Sequence, residues 1–465
     1  MSAGRRIVVI GGGLAGIAAA LDCAAAGARV SLVEVRRRLG GAAYSFERDG
    51  MQLDNGQHVF MRCCGAYRAL LARLGSEPNV FLQHRLSVPV LSPGARKAEL
   101  RRGILPAPLH MAGSLARYRH LTLAQRLRAG RTAMALARLD LSRRELDRVT
   151  FADWLARHGQ GTDEVQALWD VIVRPTLNAP AAGASLALGA FVFHTALLSR
   201  ADAGDIGFHA APLSRTIGEP AERALAGAGV EVLLGWRAER LQKANPGLVV
   251  RRPADALGAD AAIVALPHAR AAAMLATLLP DTARRLGALE SSPIVNLHVV
   301  YDRVVCEEPF AAGVRTPVQY VLDRTAAGGV PPGCQYLAVS LSCAEREMQM
   351  SVDALRETYL PALRELLPRA RAAKVERFMV TREHAATFRA APGTAALRPG
   401  TRTSVPGLFL AGAWTDTGWP ATLEGAVLSG HAAARAALDE LQLEPAPPAS
   451  ADPAIASAAL SGTRA

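Results

Sequence analysis

Residues 5–35 read RRIVVIGGGLAGIAAALDCAAAGARVSLVEV. Residues 7–10 form a short β-branched apolar run, which is typical of a strand buried on both faces. Residues 14–26 are rich in alanine and have a strong helix propensity. Between these two segments lie three glycines at GxGxxG spacing: Gly11, Gly13 and Gly16. The stretch therefore predicts a buried strand, a tight turn and a helix.

The three glycines occur where a dinucleotide needs them. Gly11 permits the turn, Gly13 lets the backbone approach a pyrophosphate, and Gly16 allows the helix to pack closely on the strand. The phosphates would face the helix N-terminus, whose free N–H groups and dipole favour anions. A second strand, residues 28–33, ends at Glu34, whose carboxylate suits ribose hydroxyls and repels a 2′-phosphate. We predict an adenine-dinucleotide site that excludes NADP; the alternative is an ordinary βαβ unit with a glycine-rich turn.

Length and composition restrict the class of protein. The 465 residues suffice for two or three domains, and the 50% of hydrophobic residues indicates a globular chain. No apolar stretch is long enough for a transmembrane helix, and we expect no secretory signal because a strand of the fold is predicted directly after Met1. We expect a cytoplasmic protein with reduced thiols and no metal, because neither metal-ligand spacing nor a CxxC relates the six cysteines: Cys23, Cys63, Cys64, Cys306, Cys334 and Cys343.

The formal charge of +12 comes mostly from arginine. No nucleic-acid motif or basic patch interleaved with aromatic residues is present, so we expect no nucleic-acid partner. Residues 103–130, GILPAPLHMAGSLARYRHLTLAQRLRAG, mix apolar residues with arginine. The segment favours a peripheral contact with an anionic membrane surface, at the inner face of the cell membrane. The alternative is a solvated basic helix. The arginines concerned are Arg117, Arg119, Arg126, Arg128 and Arg131.

A second motif lies some 400 residues further along the chain. Residues 408–411 form a buried strand run, followed by Gly412, a polar loop, Pro420 and a long segment with helix propensity that contains Gly425. FAD needs such a segment because its flavin extends well past the pyrophosphate, whereas a nicotinamide cofactor does not. A helix N-terminus aimed at the flavin would stabilise the anionic reduced ring, and Gly425 would keep the helix clear of side chains there. The alternative is a βα unit that only completes the sheet.

These stretches resemble the flavin amine oxidase and carotenoid desaturase superfamily. The resemblance is carried by GGGLAGIAAA (11–20), VEVRRRLGGAAYSF (33–46) and LFLAGAWTDTGWPATLEGAVLSG (408–430). Within that superfamily, LDNGQHVFMRCCGAYRALLARLG (53–75) and DTGWPATLEGAV (416–427) resemble the hydroxysqualene dehydroxylases of bacterial hopanoid pathways.

The resemblance implies an α/β fold of the flavin amine oxidase type, in which a Rossmann-like FAD-binding domain carries an inserted α+β substrate domain. We predict that the FAD-binding domain comprises residues 1–95, 206–270 and 386–443. Residues 96–205 are expected to be a helical region facing substrate or membrane, with helix over 114–146, and residues 271–385 to be the sheet and helix of the substrate domain. The Ala-, Pro- and Ser-rich residues 444–465 read as a disordered tail.

The resemblance also implies a set of cofactor contacts. Glu34 would hold the ribose, Arg36 would lie near the pyrophosphate, and Ala238 would meet the adenine. Two departures each remove one contact: Ala42 stands where the superfamily usually has arginine, and Ala413 where it often has an acid. The predicted cofactor-binding residues are Gly11, Gly13, Leu14, Ala15, Gly16, Glu34, Val35, Arg36, Gly40, Gly41, Gly56, Gln57, His58, Ala238, Gly412, Leu423, Glu424, Gly425 and Ala426.

The implied reaction reduces hydroxysqualene, an apolar C30 allylic alcohol, to squalene and water, with reduced FAD as the hydride donor and an unknown electron donor to the flavin. Such a site needs one proton donor in an otherwise apolar tunnel. The candidates are His58 and Asp416, followed by Asp54 and Tyr44, although Asp54 also suits a turn. Three alternatives remain: a desaturase of squalene, phytoene or a related polyene, a flavin amine oxidase, and a non-catalytic lipid carrier.

Overall fold

A computed structural model describes residues 4–94 and 96–445 of the chain. Residues 446–465, which make up nearly all of the expected disordered tail, lie outside the described residues. The strands of the described part are β1 (Arg6–Ile10), β2 (Arg29–Glu34), β3 (Ser45–Arg48), β4 (Met51–Asp54), β5 (Val59–Met61), β6 (Val80–Leu82), β7 (Ser87–Ser92), β8 (Arg96–Arg101), β9 (Ile206–His209), β10 (Glu231–Leu234), β11 (Arg240–Lys243), β12 (Leu248–Arg251), β13 (Ala256–Ala259), β14 (Ala261–Val264), β15 (Ser291–Tyr301), β16 (Phe310–Gly313), β17 (Tyr320–Asp323), β18 (Gln335–Ser342), β19 (Val375–Phe388) and β20 (Leu408–Leu410).

The α-helices of the same residues are α1 (Leu14–Ala25), α2 (Gly65–Arg73), α3 (Ala112–Ala116), α4 (Leu123–Ala137), α5 (Phe151–Arg157), α6 (Thr162–Glu164), α7 (Asp170–Leu177), α8 (Leu186–Phe193), α9 (Glu219–Gly227), α10 (His268–Leu275), α11 (Pro280–Gly287), α12 (Thr325–Gly328), α13 (Glu345–Gln349), α14 (Val352–Leu366) and α15 (Leu423–Leu441). Short 3₁₀ and π-helical turns join or extend several of them.

A five-stranded parallel sheet forms the dinucleotide-binding part, with the order β10-β2-β1-β14-β20. Successive side chains of β1 point to opposite faces, as the period of a strand requires. Ile7 and Val9 pack with α1, α9 and α15, whereas Val8 and Ile10 pack toward α10, α11 and the three-stranded sheet β11-β12-β13. The predicted Rossmann-like α/β fold is therefore confirmed, and chain segments far apart in sequence share this one sheet.

The second large sheet has seven strands in the order β19-β15-β18-β17-β16-β7-β8. Strands β7 and β8 of this sheet pair antiparallel, with Ser87 opposite Arg101 and Ser92 opposite Arg96. The domain limit that we predicted at residue 95 falls between these two strands. Both strands belong to the seven-stranded sheet, so this limit divides two paired strands of one sheet. The domain limits otherwise remain predictions.

The continuous helix expected over residues 114–146 is interrupted. Helix α3 ends at Ala116, and α4 begins only at Leu123. Thr122 forms a capping box with Gln125, in which each side chain bonds the backbone N–H of the other residue. A capping box satisfies N–H groups that otherwise lack partners at a helix start, so the sequence begins a new helix here.

Helix α15 lies directly against α1. A Cβ atom added to Gly430 would lie 2.2 Å from the carbonyl oxygen of Ala15, so only glycine permits the observed approach. The next residue of α15 also contacts α1, because Nδ1 of His431 lies 2.5 Å from the carboxylate of Asp22. The helix is also joined to the end of β20, because the backbone N–H of Gly412 donates to Oγ of Ser429 at 2.8 Å. These contacts fix α15 beside the first turn of α1.

The first turn of α15 is attached to α2 by Glu424. Its carboxylate accepts hydrogen bonds from the backbone N–H groups of Ala66 (2.9 Å) and Tyr67 (2.7 Å), at the N-terminus of α2. The side chain is 3% exposed, and burial raises the pKa of the carboxyl to about 7. We predicted that Glu424 contacts the cofactor, but its carboxylate is instead hydrogen-bonded to the start of α2. Free N–H groups at the start of a helix attract an acid.

The raised pKa makes stability depend on pH. Glu424 ionises less readily in the folded than in the unfolded chain, so the folded state gains protons relative to the unfolded one between about pH 4.5 and 7. We expect the free energy of unfolding to fall across that window as pH rises, by on the order of 3 kcal/mol from this group. Denaturant unfolding at pH 5 and pH 7 should show a smaller difference for Glu424→Gln than for wild type.

The matched control is Glu365→Gln, since Glu365 is exposed on α14. This control should keep the wild-type difference between the two pH values. An unchanged difference in Glu424→Gln would contradict the raised pKa.

Candidate active site

The glycine-rich turn places free N–H groups at the start of α1. A Cβ on Gly16 would collide with the carbonyl oxygen of Gly11, and Gly11 itself has a φ of +114°, so both positions require glycine. The N-cap residue is Gly13, and within the described part of the chain no side chain caps this helix. An uncapped N-terminus with an open approach fits a pyrophosphate.

Glu34 lies beside this turn, at the end of β2. Its carboxylate oxygens accept hydrogen bonds from the backbone N–H groups of Gly12 and Arg36, both at 2.8 Å. The segment after β10 is bonded to the end of β2, because the backbone N–H of Trp236 donates to the backbone carbonyl of Glu34 at 2.9 Å. The predicted ribose and adenine residues, Glu34 and Ala238, therefore lie on adjoining backbone segments, and Val35 is exposed next to them.

The second glycine pair packs against the first turn. Gly40 N–H donates to the carbonyl of Gly12 at 2.9 Å, and a Cβ on Gly41 would lie 2.7 Å from the Cα of Gly13. The guanidinium of Arg38 stacks over the ring of Tyr44, 3.4 Å from its centroid. The sequence did not single out Arg38.

The turn that carries residues 56–58 is anchored to the seven-stranded sheet. The carbonyl of Asn55 accepts hydrogen bonds from Nδ2 of Asn296 on β15 and Oγ1 of Thr381 on β19, each at 3.2 Å. The side-chain amide of Asn55 donates to Oε1 of Glu383 at 2.9 Å. Gly56, Gln57 and His58 are thus held where the first domain meets the polar middle of the second sheet.

The carboxylate of Asp54, next to this turn, is bonded to other residues of the protein. Its carboxylate forms a buried ion pair with Arg324 at 2.6 Å, and it also accepts hydrogen bonds from Oγ of Ser45 and the N–H of Leu213. These partners occupy both carboxylate oxygens. The geometry therefore favours the turn-forming alternative for Asp54 over a proton-donor role.

The other proton-donor candidates differ in their surroundings. Burial lowers the pKa of the His58 imidazole, although the charge of Asp54 and a hydrogen bond with the backbone of Ala42 partly oppose this shift. Burial and the nearby Glu383 raise the pKa of Tyr44, which keeps its hydroxyl protonated. Asp416 is exposed, and within the described residues its carboxylate accepts no hydrogen bond. Of the two predicted catalytic residues, the structure brings His58, and not Asp416, next to the anchored turn.

The loop before α15 is shaped by a residue that sequence reasoning missed. Nη2 of the buried Arg398 donates to three loop carbonyls, those of Ala413 (3.3 Å), Thr415 (2.5 Å) and Trp419 (2.7 Å). Gly425 packs against this loop, since a Cβ there would lie 2.8 Å from the carbonyl oxygen of Pro420. The need for glycine at 425 therefore comes from the loop, which differs from our expectation of close approach by a ring.

The residues present fit an FAD. Among the described residues, several buried polar side-chain atoms have no hydrogen-bond partner within the protein. Three of them lie along the segments described above: Arg38 Nη2, Gln57 Nε2 and Arg398 Nε. Buried polar groups normally have partners, so these atoms fit a large polar ligand that lies against the glycine-rich turn, the turn at residues 56–58 and the loop before α15, a path here called the groove.

Two of the residues that the sequence analysis missed, Asn296 and His298, could have been recognised from the sequence. Asn296 and His298 stand two residues apart in the otherwise apolar stretch PIVNLHVVYDR, so they share one face of β15. His298 bonds Tyr336 at 2.6 Å and Thr381 at 3.0 Å, and burial lowers its pKa to about 3. Two polar side chains on one face of a fully buried strand indicate a polar site. Thr381 and Glu383 gave no such signal.

Comparison with known proteins agrees with this geometry. The sequence profile of the family described as "Flavin containing amine oxidoreductase" matches residues 14–438. Hydroxysqualene dehydroxylases from Sinorhizobium fredii and Rhodopseudomonas palustris are 29% and 30% identical to the chain, with alignments that cover 94% and 92% of this chain and 99% and 97% of theirs. A zeta-carotene desaturase from Synechocystis is 24% identical over 93% of this chain and 97% of its own.

The fold also matches a solved structure. Cyclohexylamine oxidase from Brevibacterium oxydans superposes with a TM-score of 0.71 at 19% identity, and the match covers 94% of this chain and 100% of that one. The predicted flavin amine oxidase-like fold and the predicted FAD are confirmed. The chain belongs to the family of flavin-containing amine oxidoreductases, and it is an FAD-dependent oxidoreductase.

Proposed function

We propose that the protein reduces hydroxysqualene to squalene by removing its allylic hydroxyl. The observation that carries this proposal is the similarity of nearly the whole chain to two hydroxysqualene dehydroxylases, at 29% and 30% identity against 24% for the desaturase. The substrate would be an apolar C30 isoprenoid, which agrees with the isoprenoid names of these relatives.

The cofactor would be held along the groove described above. The N–H groups at the start of α1 would bind the pyrophosphate, Glu34 the ribose, and Arg38 and Gln57 polar atoms further along. FAD, when bound in its reduced form, supplies the hydride that the reaction needs. Helix α15 would place its N-terminal turn, Leu423 to Ala426, at the flavin end, as the sequence predicts.

His58 would supply the proton to the departing hydroxyl. Its lowered pKa makes the protonated imidazole a stronger acid, although a smaller fraction is protonated at neutral pH. The turn that leads to His58 is anchored to the second sheet through the Asn55 carbonyl. The apolar tunnel that the reaction needs would keep bulk water from capturing an allylic cation. These roles of His58 and of the groove residues are proposals.

A desaturase of squalene, phytoene or a related polyene is the second candidate. The similarity to the Synechocystis zeta-carotene desaturase favours it, since that alignment also spans nearly the whole chain. Such an enzyme would run the flavin in the opposite direction, with oxidised FAD taking hydride from a hydrocarbon.

Anaerobic turnover separates the two candidates. Photoreduced holoenzyme mixed with hydroxysqualene should yield about one squalene per flavin, while the 450 nm band of oxidised flavin returns. His58→Gln should slow this step, and it should remove a wild-type rate increase toward acidic pH, because the wild-type donor is active only when protonated. Recovery of unchanged alcohol, together with dehydrogenated products from squalene and oxidised enzyme, would contradict the dehydroxylase.

We also propose that residues 101–131, the basic–apolar segment, contact an anionic membrane surface. None of the helices in residues 4–94 and 96–445 is both long and apolar enough to span a bilayer. The segment carries five exposed large apolar side chains, and Ile104 is 88% exposed and Leu123 67%. The remaining three are Leu105, Leu109 and Leu127. Apolar side chains concentrated on one segment are typical of an interaction surface.

The charged residues of this part of the sequence are all arginines. Residues 100–139 contain eight arginines and no aspartate or glutamate. Arg102 and Arg128 pair with Asp205 and Glu164, whereas within the described residues the other six form no ion pair. Each arginine near an anionic leaflet contributes about 1 kcal/mol of attraction, which complements apolar insertion. The segment would let the protein take an apolar substrate from the cytoplasmic face of the membrane.

Vesicle flotation tests this contact. Holoenzyme should float with phosphatidylglycerol-containing vesicles and much less with pure phosphatidylcholine, and 0.5 M salt should release it. Leu127→Glu should weaken binding to the anionic vesicles at least several-fold. The matched control is Val304→Glu, an exposed apolar position outside the segment, which should bind like wild type. Equal binding of both variants, or binding independent of charge and salt, would contradict the proposed surface.

A further inference from the structure

Asn296 carries a buried acceptor without a partner. The residue is 0% exposed, and its Nδ2 donates to the carbonyl of Asn55. That carbonyl can only accept, so the amide atom facing it must be the nitrogen, and Oδ1 is the atom left over. Within the described residues Oδ1 has no hydrogen-bond donor. Leaving such an acceptor unpaired is costly, and native proteins rarely do so without a function.

The side-chain amide of Asn296 lies beside the turn that carries His58. The position that a Cβ on Gly56 would occupy lies 3.8 Å from Nε2 of His58 and 3.9 Å from Nδ2 of Asn296. The two side chains therefore border the same small space beside the turn. Asn296 lies opposite Ser340 on β18 and Thr381 on β19, in the middle of the sheet face that meets the cofactor-binding domain.

We propose that Asn296 determines specificity for an alcohol by accepting a hydrogen bond from the substrate hydroxyl. The inference rests on the proposed function and names the residue that recognises its leaving group. A squalene-like hydrocarbon has no donor for Oδ1, so its binding would leave the amide oxygen buried and unpaired. Sites built to bond a hydroxyl reject the analogue that lacks it for this reason. An unpaired amide oxygen therefore favours the alcohol substrate of a dehydroxylase over the hydrocarbon of a desaturase.

The other available donor is an N–H group of the bound cofactor. That alternative predicts a different effect of the same substitution. A bond to the flavin would shift its reduction potential and its affinity for the chain, whereas a bond to the substrate hydroxyl would leave both unchanged.

The test measures binding without turnover. Oxidised holoenzyme is titrated with hydroxysqualene and with squalene, and the flavin absorbance change gives each Kd. Wild type should bind the alcohol about tenfold more tightly than the hydrocarbon, as expected for one hydrogen bond. Asn296→Leu, which is similar in size, should bring the ratio near one without changing the flavin reduction potential. Asn296→Ala should give the same result by a change that cannot overfill the site.

Thr381→Val is the matched control, because it removes the other hydrogen bond to the Asn55 carbonyl and leaves Oδ1 of Asn296 intact. This variant should keep the preference for the alcohol. A preference retained in Asn296→Leu, a shifted potential with the preference intact, or loss of flavin from both Asn296 variants would overturn the proposal. An alcohol preference that depends on Asn296, in an enzyme that forms no squalene, would refute the proposed reaction and leave the binding role standing.

Discussion

The contact of α15 with α1 at Gly430 and Ala15 is the constraint on which the active site depends. The helices approach so closely that a single added Cβ would collide with backbone. Because Gly412 and Glu424 are hydrogen-bonded to Ser429 and to the start of α2, the position of α15 also sets that of the loop before it. One glycine contact thus brings two helices, some 400 residues apart in sequence, side by side.

The sequence predicted those parts of the protein whose geometry follows from local patterns. The GxGxxG turn, the buried strands and the final helix with its glycines each impose a backbone shape on neighbouring residues, so fold and cofactor could be recognised. The contacts of Asn296 and Thr381 could not be predicted in this way, because both residues bond a turn more than 200 residues away in sequence. Likewise, β7 and β8 belong to the second sheet because β7 pairs with β16. The local sequence pattern holds no information about a partner strand so far along the chain.

The site joins two surfaces of opposite character. The dinucleotide part offers backbone N–H groups and glycines, whereas the second sheet offers a polar patch within an apolar layer. The turn at Asn55 connects them, since its carbonyl and its side chain bond three residues of that sheet: Asn296, Thr381 and Glu383. In the proposed reaction, cofactor chemistry and substrate recognition would therefore meet at this anchored turn, with His58 at its end.

The flavin content of two valine variants of α15 tests the central claim most directly. Gly430→Val places a branched side chain between α15 and α1, whereas Ala432→Val makes a comparable change on the exposed side of the same helix. We predict that purified Ala432→Val retains about one FAD per chain and that Gly430→Val loses most of its 450 nm absorbance. Full flavin content in Gly430→Val would contradict the claim that this helix contact builds the cofactor site.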